Sequence, residues 1–194
     1  MASQLSALRR ELSDATERAH RVATAVGDDW ETRPAPKRWS VAECIDHLNA
    51  TSRAYLPVLR DAVARGRTHG RPPRETYRRD LIGWLLCSSL EPPARMRFTT
   101  SPRFVPEVIR DRDVVLADFD RWQRDLIALL DDVANVDASA VKVASVFNDR
   151  IRYTLYSAYR ILAVHERRHL WQAERVLQTL RRSRAVYVMD LEIR

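Results

Sequence analysis

Apolar residues return at three- and four-residue steps over long stretches of the chain, the spacing that lines them along one face of an α-helix. Leu5, Leu8, Leu12, Ala15, Ala19, Val22 and Val26 form the first such stripe and predict a helix over 3–26, with Gly27 as its stop. Ser40 and Glu43 have the spacing of a capping box, in which the hydroxyl takes one free amide and the carboxylate reaches back to another. They open a second helix, whose stripe passes through Val41, Cys44, Ile45, Leu48, Tyr55, Leu59 and Ala62 to a stop near Gly66. Pro57 falls inside it and predicts a kink. A shorter helix is expected over 77–90, closed by Pro92 and Pro93. A third long helix is expected over 107–133, with Val108, Val115, Phe119, Trp122, Leu126, Leu129 and Leu130 inward, and the longest over 153–182.

Between these elements, 28–38, 66–75, 91–106 and 135–152 read as connections. Those at 66–75 and 91–106 are longer than helical hairpins need, as lids and crossovers are. The last residues alternate weakly and out of phase, which predicts a short strand or an arm. The expected fold is all-α: a single four-helix bundle with an extra short helix and long connecting loops, spanning 1–183, with a C-terminal tail at 184–194.

Composition narrows the class. With 45% hydrophobic residues in 194, the chain can bury a core and is not a disordered one. Four Gly exclude a collagen-like chain, and two Cys, Cys44 and Cys87, exclude a disulfide scaffold and are expected in the core. No apolar run approaches the roughly 20 residues of a membrane helix. No signal-peptide pattern opens the chain, so a cytoplasmic location is expected. A net charge of +7 is a footprint of nucleic-acid binding, but the Arg pairs (Arg9-Arg10, Arg78-Arg79, Arg167-Arg168, Arg181-Arg182) are scattered and often interleaved with acids.

Five histidines carry the candidate chemistry. His165 and His169 are four apart on the longest helix, so their imidazoles stack along one face, and both fall within or at the edge of its apolar arc. Two inward imidazoles are costly to bury unless they share a purpose, and a metal ion supplies one. His47, next to the apolar face of the second helix and one residue before Leu48, is the expected third ligand, and three neutral nitrogens suit zinc, nickel, iron or cobalt. His20 reads as a boundary residue and His69 as a solvated loop residue. The run from His165 to His169 also fits H-E-x-x-H, in which Glu166 is a general base. However, only 25 residues follow and none is His, which argues against a zinc protease. Glu166 stays a candidate base, a candidate partner that orients a ligating imidazole, or an ion-pair member, and Glu43 could likewise orient a ligand beside its capping role.

Two segments together carry a family resemblance: Trp39-Ser40-Val41-Ala42-Glu43-Cys44-Ile45-Asp46-His47-Leu48, and His165-Glu166-Arg167-Arg168-His169-Leu170-Trp171-Gln172 far downstream. The chain resembles the DinB-like (DinB/YfiT) superfamily. Val146-Phe147-Asn148 stands where a Pro-Phe-Asn-like segment often precedes the last helix, here without the Pro. The resemblance implies an up-down-down-up four-helix bundle, commonly dimeric, with a three-His site at His47, His165 and His169 that takes zinc or nickel. It also implies relatives that use low-molecular-weight thiols as transferases, and one that isomerises maleylpyruvate.

Three functions remain open on these grounds. The first is a metal-dependent transferase or hydrolase acting on a small-molecule substrate, thiol-dependent in one version, with Arg71, Arg74, Arg78 and Arg79 available to a carboxylate. The second is a non-catalytic metal-binding dimer, with Trp171 as a candidate contact for the partner. The third is a basic nucleic-acid-binding module.

Overall fold

The amphipathic stripes fold as helices. A computed structural model describes residues 3–93, 100–106 and 110–192, with 186–192 described by backbone only. Among them it is predominantly helical: α1 (Ser3–Val26), α2 (Val41–His69), α3 (Leu81–Leu90), α4 (Arg112–Val133) and α5 (Leu155–Glu192). Short 3-10 turns follow α1 and precede α4, and β1 (Lys142–Ala144) pairs antiparallel with β2 (Arg152–Thr154), Val143 facing Tyr153. The capping box forms: Glu43 donates its amide to the Ser40 hydroxyl at 3.2 Å, and Ser40 donates its amide to the Glu43 carboxylate at 2.8 Å.

Contacts between helices set their relative sense. Glu11 meets Arg160 and Arg167, and Arg18 meets Glu174, so α1 and α5 run the same way. Arg9 pairs with Asp131 and His20 with Asp120, so α1 and α4 run oppositely. Asn49 donates to the Val115 carbonyl while Arg67 pairs with Asp132, which makes α2 and α4 parallel. His47 faces His165 and Tyr55 faces Tyr153, which makes α2 and α5 antiparallel. The apolar stripes meet inside: Leu5, Leu8, Leu12, Leu59, Leu126, Leu130 and Tyr159 in one cluster, Ala19, Ile45, Leu48, Phe119, Leu170 and Ala173 in another. Cys44 and Cys87 are free and buried, as core residues.

The structure corrects several boundaries. Gly66 does not stop α2. It is buried against the 135–144 segment, where an added Cβ would stand 3.0 Å from the Val136 Cβ. The stop is Gly70, whose φ of 62° is the left-handed conformation that a helix cap favours. α2 passes through Pro57 without a break. The third helix begins at Leu81 rather than 77, because the Asp80 carboxylate caps it through the Gly83 amide at 3.0 Å. On α4, Gln123 is buried and Trp122 only half-buried; Val108 and the start expected at 107 lie outside the described residues. The strand or arm expected at the C-terminus is instead helical, since α5 runs to Glu192. β1 lies within a segment read as a plain connection, while β2 takes the last residue of that segment and the first two of the helix expected from 153, so that helix begins at Leu155. The Leu155 and Tyr156 amides donate to the Val141 and Ala138 carbonyls and tie the segment to α5.

Asp80 also holds α3 to that junction. Its carboxylate accepts from the Ser157 hydroxyl at 2.9 Å, the Thr154 amide at 3.0 Å and Lys142 at 2.7 Å. Gly83 sits in the same contact, and an added Cβ would lie 2.4 Å from the Ser157 Cβ. Neither atom can rotate away, so Gly83→Ala must push α3 off α5. A loss of about 1–3 kcal/mol is expected, read as a lower urea midpoint, and an unchanged midpoint would mean that α3 does not pack as described.

Candidate metal centre

His47 lies in the second turn of α2, on the helix end that the capping box fixes. A further clamp holds that end: Arg33 reaches Glu43 through Nε at 2.9 Å and through a second nitrogen. The Nδ1 of His47 is 2.7 Å from the Phe104 carbonyl oxygen, which can only accept. Nδ1 therefore carries the hydrogen, and Nε2 keeps a lone pair. That lone pair points at α5, where His165 Nε2 lies 3.2 Å away. The third ring, His169, has its centroid 4.4 Å from that of His47 and 4.6 Å from that of His165. One ligating nitrogen from each ring lies within 4.8 Å of the others, and all three residues are buried.

Burial sets their charge. It pushes His47 down to about 4, against an opposing pull from the Phe104 carbonyl. Burial takes His165 and His169 well below the ordinary value, and the neighbouring imidazoles lower them further. Neutral imidazoles are what a metal requires.

The donor set fits a cation. The 3.2 Å between Nε2 atoms is the separation of two nitrogens that each lie roughly 2.0–2.1 Å from one ion. The buried Nδ1 atoms of His165 and His169 have no hydrogen-bond partner among the described residues. Aromatic walls hold the rings in place. Trp39 stacks on His169 at 5.7 Å between centroids, Phe104 meets His47 edge-on at 6.4 Å, and Phe147 leans on His165 at 5.5 Å.

A cavity of about 630 Å³ opens beside these rings, within the usual range for small-molecule sites. His47, His165 and His169 line it, together with Lys37, Arg38 and Arg168. One α5 stripe contributes Ile161, His165, His169 and Gln172, and the loop after β1 contributes Phe147 and Asn148.

The other singled-out residues lie elsewhere. Glu166 is buried but does not line the cavity. It faces α4, where Gln123 donates to one carboxylate oxygen at 2.7 Å and the other oxygen has no partner among the described residues. Burial raises it to about 8, so it is protonated at neutral pH. No arginine ion pair to Glu166 forms among the described residues; a neutral amide is its partner. Glu43 is occupied by the cap and Arg33. His20 pairs with Asp120, and His69 is exposed and bonded to the Arg65 carbonyl. None of Arg71, Arg74, Arg78 and Arg79 lines the cavity, and Arg74 is committed to Asp137. Trp171 is half-buried. Sequence reasoning missed Phe104, Lys37, Arg38 and Arg168. Of these, Arg168 adjoins His169 and Lys37 and Arg38 directly precede Trp39, whereas Phe104 had no positional signal.

A sequence profile described as the DinB superfamily matches residues 4–173. No curated protein and no solved structure matches the chain.

Proposed function

The chain belongs to the DinB superfamily, and from that premise we propose that it is a metal-dependent transferase or hydrolase acting on a small molecule. The observation that carries the proposal is the convergence of three neutral imidazoles, from two helices far apart in sequence, on the wall of one cavity. His47, His165 and His169 would hold a divalent transition metal, zinc or nickel in preference. When bound, such an ion acts as a Lewis acid that lowers the pKa of a ligated water or deprotonates a ligated thiol. A low-molecular-weight thiol is the second substrate in the transferase version.

The chain's own residues do the rest. The Phe104 carbonyl keeps the His47 hydrogen on Nδ1 and so orients its lone pair. Trp39, Phe104 and Phe147 wall the imidazoles with apolar surface and keep bulk water from that side. Glu166, protonated and turned toward Gln123, is assigned a positioning role on α5 rather than that of a base.

The helix senses support an up-down-down-up four-helix bundle, with α3 as the extra helix. We assign the domain to 1–183 and treat 184–194 as its C-terminal extension. A homodimer in the cytoplasm is part of the same reading. No helix among the described residues is long and apolar enough to cross a membrane. The extensive pairing of arginines with carboxylates, as at Arg18, Arg67 and Arg110, disfavours a dedicated nucleic-acid surface.

The test is turnover by purified protein, first stripped by chelation and then reloaded with zinc or nickel. Cysteine with 1-chloro-2,4-dinitrobenzene reports thiol transfer, and p-nitrophenyl acetate reports hydrolysis. Activity that vanishes on stripping and returns on reloading is expected. One bound ion per chain without turnover of either probe would favour the non-catalytic metal-binding dimer.

A further inference from the structure

The charge of the cavity is one-sided. Lys37, Arg38 and Arg168 line it, and no Asp or Glu does among the described residues. Several cations elsewhere in the chain meet carboxylates, as Arg33 does Glu43, Arg110 does Asp46 and Asp118, and Arg167 does Glu11 and Glu91, while others such as Arg10, Arg53 and Arg124 make no ion pair among the described residues. Lys37 and Arg38 make no ion pair among the described residues.

The three cations also gather at one end. Lys37 and Arg38 immediately precede Trp39, whose ring lies on His169. Arg168 adjoins His169 on α5 and points one nitrogen at the Ser89 carbonyl, 3.4 Å away, on the same cavity wall. Leu86 and Leu90 flank Ser89 on α3, and Ile151 and Ile161 line the cavity toward the start of α5. At the far end the Tyr55 and Tyr153 hydroxyls share a hydrogen bond of 2.7 Å. The Phe147 ring spans the gap, 6.1 Å from Tyr55 on one side and 5.5 Å from His165 on the other. The cavity is thus cationic beside the imidazoles and apolar beyond them.

We propose that this cavity takes a small organic carboxylate with an apolar body, its charged end held by Lys37, Arg38 and Arg168 next to the three imidazoles and its body lying over Phe147. A guanidinium matches a carboxylate's planar geometry, and two exposed cations at the mouth draw an anion in. The proposal deepens the functional reading, since it rests on this cavity being the substrate site, but it requires no metal to be tested.

The test is calorimetric titration of metal-stripped protein with 4-phenylbutyrate and with its neutral amide. The acid is expected to bind about tenfold or more tightly than the amide, with the preference shrinking as salt rises. Arg168→Gln and the exposed double variant Lys37→Ala/Arg38→Ala are expected to bring the acid toward the amide's affinity and leave the amide unchanged. Equal binding of acid and amide overturns the proposal, as does the absence of saturable binding by either. Metal uptake is measured on the same preparation. Protein that prefers the acid yet takes up no metal retains the carboxylate site and refutes the metal reading; protein that loads metal without the preference does the reverse.

Discussion

His47→Ala is expected to abolish stoichiometric metal binding while leaving the fold in place. His47 is the only one of the three imidazoles supplied by α2, and its Nε2 faces His165 at 3.2 Å with the other nitrogen committed to the Phe104 carbonyl. Alanine leaves two imidazoles four residues apart on one helix, a much poorer site. Loss of an outer-sphere partner already costs about 10–100-fold in affinity, so loss of a ligand should exceed that range. The measurement is the metal-to-protein ratio after dialysis against a metal buffer, with circular dichroism as the fold control. Wild-type metal content in the variant would remove His47 from the site. A variant that merely unfolds would leave His165→Gln and His169→Gln to decide, each expected to lose the ion.

Metal-free protein is expected to lose stability steeply as pH falls from about 6.5 toward 4. The unfolded chain takes up protons on these histidines near their ordinary value of 6.5, whereas the folded chain holds His47 down to about 4 and the other two well below 6.5. Between those values the unfolded state binds more protons, so stability is fully present above 6.5 and drains away below it. His47 alone accounts for about 3 kcal/mol over that interval. Glu166 works in the opposite direction. Its folded value is raised to about 8, so its contribution is present below its ordinary 4.5 and fades as pH rises through 8. Three imidazoles against one carboxyl leave the histidines dominant between 4.5 and 6.5. Urea midpoints at pH 7, 6 and 5 check this, and a flat series would refute the buried neutral cluster. Glu166→Gln removes the opposing group and should steepen the decline.

Much of the architecture was legible because helices announce themselves locally. The stripe from Leu5 to Val26 set α1 to the residue, and the Ser40–Glu43 spacing set the start of α2. Errors fell where a distant partner overrode a local signal. Gly66 looked like a stop and is instead a point of close approach to Val136 and Val141. Residues 142–144 and 152–154 are too short to show a period, and each strand exists through its partner. For Glu166, inside an apolar arc, the spacing left several roles open, and it could not show the contact with Gln123, which lies on another helix.

By itself the sequence determined the helices, the inward facing of His165 and His169 and the candidacy of His47, because each depends on periodicity within one element. Only the tertiary structure decided that the three rings meet, that Phe104 fixes the tautomer of one of them, and that Lys37, Arg38 and Arg168 rather than the loop arginines border the cavity. Those facts depend on how α2, α5 and the loops pack, and contacts between residues 57 positions apart, as for His47 and Phe104, or 118, as for His47 and His165, leave no spacing to read.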